Sequence, residues 1–184
     1  NRKKERNERI QKHEEVLRQN AAKREVDLEK HGNSDIDQHY EIKKRFADNS
    51  DNLIALQDFT KANLYYKMNE EKGGCIKILT TKKAMKKKDK EGKEVGEECW
   101  QFTPNKGDYT GMLVVCYAYD LDKVYIFNGK DIPKGCIFIY DNKNKWCEKA
   151  LKRKVSIEDA IEYIEDFFKN HPDYLVSEDD ARND

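Results

Sequence analysis

The run Met112-Leu113-Val114-Val115-Cys116-Tyr117-Ala118-Tyr119, followed closely by Lys123-Val124-Tyr125-Ile126-Phe127, decides the fold. Both pieces are short, rich in β-branched and aromatic residues and free of Gly and Pro, a composition that suits strands better than helices. Working outward, Cys75 to Thr81, Cys99 to Thr103 and Cys136 to Tyr140 repeat it. Turn-forming residues separate the runs: Asn105-Lys106-Gly107-Asp108, Asn128-Gly129-Lys130 and Asp141-Asn142-Lys143. Five strands in close succession predict a sheet of meander type, antiparallel or mixed. Trp100, Phe102, Tyr117, Tyr119, Tyr125 and Phe127 recur at period two, as expected of one packed sheet face.

Away from this region the period lengthens to that of helices. Glu8 to Lys30 contains no Gly or Pro, and Ile10, Leu17, Ala21 and Leu28 form a thin apolar stripe, which predicts a long polar arm ended by His31-Gly32-Asn33-Ser34. Leu53, Leu56, Phe59, Asn63 and Tyr66 recur every three or four residues and predict a capped helix within 51–71, stopped by Gly73-Gly74. Ser156-Ile157-Glu158-Asp159 caps a further helix whose Ile157, Ile161, Ile164 and Phe168 make an apolar face, and His171-Pro172 ends it. Ser177 to Asp184 is expected to be a disordered acidic tail. The expected fold class is α+β: an N-terminal helical arm (1–34), a domain (35–172) with a five-stranded sheet and a C-terminal helix packed on it, and an acidic tail (173–184).

The chain has 184 residues, enough for one modest core at 37% hydrophobic content, and 39% of it is charged. Its apolar runs fall well short of the ~20 residues a membrane helix needs. The basic first residues, Asn1 to Arg6, lead into no apolar stretch, so no secretory signal is expected. Cys75, Cys99, Cys116, Cys136 and Cys147 are odd in number and widely spaced, which predicts reduced thiols and an intracellular protein of cytoplasm or nucleus. A net charge of zero conceals blocks: 82–93 holds seven lysines against two acids, and 156–184 holds ten acids against two cations. Lys82, Lys83, Lys86, Lys87 and Lys88 are candidate nucleic-acid contacts on a loop between strands; a plain solvated loop fits the same residues.

Two stretches carry family resemblances. Asp35-Ile36-Asp37-Gln38-His39-Tyr40-Glu41-Ile42 with Asp48 to Leu56 resembles the front half of an HNH (ββα-metal) endonuclease motif. The resemblance implies that His39 is general base, Asp37 a metal ligand, Asn52 a structural brace and Asn63 a second ligand, with Mg²⁺ or a similar cation neutralising the phosphate in the transition state. The family normally closes its site with a His or Asn on the helix, for which this chain offers only Thr60 to Lys67, with Asn63. Cys99 to Thr103, Asp108 to Cys116 and Lys123 to Phe127 together look like the strands of PD-(D/E)XK-type nuclease domains, as found in mobile elements and large DNA viruses. There Gln101-Phe102-Thr103 takes the place of the (E/Q)-x-K triplet, with Thr103 instead of lysine and Glu97 and Glu98 nearby. The implied function is nucleic-acid binding with metal-dependent phosphodiester hydrolysis. The alternatives are an inactive scaffold of the same fold, and a protein-interaction domain working through the N-terminal helix or the acidic C-terminal region.

Overall fold

All five expected strands form, but they are divided between two sheets. In this computed structural model, residues 2–31, 35–57, 60–104, 107–140 and 148–183 are described, without the side chains of 17, 20–31 and 35–38. The helices are α1 (Arg2–His31), α2 (Asp35–Asp48), α3 (Ile157–Asn170) and α4 (Glu178–Asn183). The strands are β1 (Leu53–Ala55), β2 (Leu64–Lys67), β3 (Gly73–Thr81), β4 (Met85–Lys88), β5 (Glu94–Phe102), β6 (Leu113–Ala118), β7 (Lys123–Asn128), β8 (Ile137–Ile139) and β9 (Lys152–Val155).

The main sheet has six strands in the order β1-β2-β3-β6-β7-β9, and a smaller one has the order β4-β5-β8. β3 and β6 run parallel, from Ile76 opposite Leu113 to Thr81 opposite Ala118, while the other pairs are antiparallel. The fold is thus α+β with a mixed sheet, not a meander. Parallel neighbours require a crossover, and between β3 and β6 the chain makes it by way of the β4–β5 hairpin.

Two segments differ from expectation. The helix expected within 51–71 is replaced by β1 and β2, and Gly73-Gly74 begins β3 instead of ending a helix. Of the residues that gave the three-to-four spacing, Leu53 and Tyr66 enter one core and Leu56 the other, Asn63 is buried, and Phe59 lies outside the described residues. Conversely, Asp35 to Ile42, which resembles the front half of an HNH motif, is the start of α2, where the i, i+4 pair Ile42 and Phe46 is fully buried.

The main sheet is covered on both faces, which is why all six residues of β6 are buried. Leu113, Val115 and Tyr117 pack with α2 and α3, while Val114, Cys116 and Ala118 pack against Trp100, Phe102, Ile137 and Ile139 of the small sheet. The period-two aromatics therefore do not share one face: Trp100, Phe102, Tyr125 and Phe127 lie between the sheets, Tyr117 lies under the helices, and Tyr119 is exposed at 39%.

α3 forms as expected. The Ser156 hydroxyl accepts the Asp159 N–H at 3.1 Å, and Ile157, Ile161, Ile164 and Phe168 are buried on the sheet. After His171 the chain rounds the sheet end, where Gly73 and Val176 exchange backbone hydrogen bonds of 2.9 and 2.8 Å. Residues 178–183, expected to be disordered, form α4, with Ala181 buried in the inter-sheet core. Residues 1–38 and 39–184 are separate compact units; the first is mainly the long polar α1, and the core residues among the described side chains belong to the second. No helix among the described residues is long and apolar enough to cross a membrane.

Candidate nucleic-acid interface

The lysine segment, expected as a loop, is strand β4 of a hairpin with β5, and Lys82, Lys83, Lys86, Lys87 and Lys88 are all exposed. One carboxylate ties down the hairpin root: Asp120 accepts the Ala84 N–H at 3.1 Å and the Trp100 indole N–H at 2.9 Å. At the tip, Asp89 Oδ1 accepts the N–H groups of Glu91 and Lys93, each at 2.9 Å, and Gly92 supplies the positive φ of +82° that the turn needs.

Pairing along the hairpin sets its electrostatics. Lys86 lies opposite Glu98 and Lys88 opposite Glu94, whereas Lys87 lies opposite Val95. Residues 82–98 as a whole hold seven lysines against five acids, so the hairpin is far less cationic than the lysine run by itself. Opposite charges across a strand pair attract, so Lys86 and Lys88 are partly neutralised at home. Lys82 and Lys83 precede the paired stretch.

A bulge shapes the tip. The register shifts between Lys86 and Lys87, leaving Gly96 (φ +83°) and Glu97 between the paired residues Val95 and Glu98. Such a bulge bends the strand that carries it. The Lys87 ammonium lies 3.8 Å from the centre of the Phe138 ring and 5.8 Å from that of Tyr140. On β8, Ile137 and Ile139 are buried in the core and Phe138 between them is half-buried, on the outer side of the small sheet. The sequence reading missed Phe138 and Tyr140 as interface residues. Only their strand composition was legible, and nothing local places them beside lysines some fifty positions earlier.

The nuclease-type residues are placed as follows. His39 Nε2 and the carbonyl of Ile78 are 3.1 Å apart, so Nε2 carries the proton and donates. Asn63, buried, accepts the Ile78 N–H on Oδ1 at 2.7 Å. The fold therefore does bring His39 and Asn63 together, as the two groups that complete the backbone hydrogen bonds of β3 beyond the start of β2. With the Asn63 oxygen engaged inside the protein, the pair does not fit a hydrated hard cation. Asn52 is exposed in the turn before β1, not at a helix entry. Asp37 falls in α2, and its side chain lies outside the described residues. Among the described residues, no three His, Cys, Asp or Glu side chains converge. Gln101 is on β5 of the small sheet, where its amide donates to Cys136 Sγ at 3.2 Å, and Thr103 follows the strand. On central strand β3, Cys75-Ile76-Lys77 instead places half-buried Lys77 beside Tyr109, 5.9 Å from the ring centre.

Nearby, Arg45 of α2 donates to Asp122 at 2.8 Å and to the Tyr117 hydroxyl at 3.2 Å, and that hydroxyl donates to Asp122 at 2.5 Å. Hydrogen bonding from Arg45 first, then from Tyr117, holds the Asp122 carboxyl below its ordinary pKa. Burial pushes the Tyr117 phenol up, as it does the Cys116 thiol. This cluster pins α2 to the β6–β7 turn.

No protein-family model, curated protein or solved structure matches this chain.

Proposed function

We propose that this chain is a nucleic-acid-binding module of nuclease-like α+β architecture. One observation carries the reading: Lys82, Lys83, Lys86, Lys87 and Lys88 are exposed on a single hairpin and are not buried against the acidic C-terminal residues. A cationic projection of this kind suits contact with a phosphate backbone, which attracts without reading sequence.

Fluorescence anisotropy with labelled DNA and RNA oligonucleotides across a salt series tests it. Expected is binding whose log K falls with log salt, by roughly 0.7–0.9 in slope for each phosphate neutralised. The register adds a finer expectation: Lys83→Gln with Lys87→Gln weakens binding more than Lys86→Gln with Lys88→Gln, because a glutamate lies opposite each of the latter. Affinity that is indifferent to salt and to all five lysines excludes the hairpin as the contact.

A second reading is phosphodiester hydrolysis supported by Mg²⁺ or a similar cation, and Lys77 is the observation in its favour. In a PD-(D/E)XK-like site the triplet would then be Cys75-Ile76-Lys77, with a thiol, a poor ligand for a hard cation, where the acid or amide belongs. That substitution favours a binding scaffold. Metal-dependent cleavage that is lost in Lys77→Ala and retained in His39→Ala would establish the enzyme; no turnover with any metal removes it. A protein partner is the remaining alternative, for which the exposed Glu158, Asp159, Glu162 and Asp166 of α3 offer an acidic surface to a basic protein.

A further inference from the structure

The hairpin and β8 form one continuous surface. Lys87 stands beside the rings of Phe138 and Tyr140, and Met85 and Val95 of the hairpin are exposed at 47% and 42%. Lys87 reaches both rings, so they lie on the same side. Residues two apart on a strand are spaced by about 6.6 Å. That is roughly twice the 3.4 Å rise of stacked bases in a duplex strand. Successive bases can therefore meet both rings only if they are unstacked. A duplex hides its base faces, leaving aromatic rings nothing to stack on.

Resting on the nucleic-acid reading above, we infer that the ligand is single-stranded, with bases stacked on Phe138 and Tyr140 and Lys82, Lys83 and Lys87 following the phosphates. In the free protein Lys87 covers the Phe138 ring. An exposed lysine over a ring is a weak contact, and a base on the same ring is a stronger one. An arriving strand thus displaces the ammonium, which moves to a neighbouring phosphate.

The test compares labelled dT12 with a 12-bp duplex by anisotropy at fixed salt, for the full chain and for Phe138→Leu and Tyr140→Leu. Leucine keeps apolar bulk on the sheet but removes the π face, and thermal melting checks that each variant is folded. Expected is dT12 binding at least about tenfold tighter than duplex, with each variant losing roughly 5- to 100-fold of the dT12 affinity and little of the duplex affinity. Equal affinity for the two forms, or folded leucine variants that bind dT12 as tightly as the parent, overturns the single-strand inference and leaves the lysine hairpin as a general phosphate contact. Binding to neither form overturns the nucleic-acid reading as well.

Discussion

The Arg45, Tyr117 and Asp122 cluster shows how much one side chain can decide. Asp122 adopts a left-handed backbone (φ +52°) in the β6–β7 turn and accepts hydrogen bonds from both other members. Its folded pKa lies below the unfolded carboxylate value of about 3.9. The stability it contributes is therefore present above that value and is lost as pH falls through the folded pKa. The Arg45 and Asp122 side chains are 43% and 61% exposed, so solvent screening limits the effect to no more than about 1 kcal/mol. Urea unfolding of wild type and Asp122→Asn should differ by that amount at pH 7, and the gap should close as pH falls through the folded pKa of Asp122. A gap that persists unchanged at low pH assigns the effect to turn geometry instead of charge. His39 and Asn63 teach a related lesson: both are polar residues at suggestive spacing, and both complete the hydrogen bonding of Ile78.

At the level of elements, composition identified strands reliably where runs were long and apolar, as in β3, β6 and β7. It failed for β1 and β2, whose two-sided burial imitates helical spacing, and for β4, whose exposed lysines have no apolar pattern at all. Pairing with β5 makes β4 a strand. α4 is another such case. Five charged and polar residues around one alanine read as tail, yet Ala181 is only 3% exposed and packs between the sheets. Ala181→Asp should accordingly destabilise the fold by about 2 kcal/mol or more, since it would place a carboxylate in an apolar site. The urea midpoint measures this, and an unchanged midpoint would show that α4 contributes nothing to the core.

For the whole molecule, the decisive feature is that the core residues among the described side chains all lie beyond position 38. α1 carries much charge and few apolar residues, so its removal should cost little. A chain lacking residues 1–34, which keeps α2 intact, is expected to unfold cooperatively within roughly 1 kcal/mol of the full chain. Loss of the cooperative transition would mean that the arm supports the fold. Near-zero net charge, by contrast, says little about partners, because Lys86 and Lys88 lie opposite acids of their own hairpin while the surplus acids lie on α3 and α4.

Local composition and period were enough to determine the α+β class, the five principal strands, the long polar arm and the capped C-terminal helix, because each rests on interactions within a few residues. Long-range pairing determined the rest. It set β3 beside β6, separated the aromatics between two faces, put glutamates opposite two lysines and carried Phe138 to Lys87. The physical reason is that a strand's neighbours are chosen by burial and by register across the sheet, and contacts between residues far apart in the chain leave no periodic trace in it.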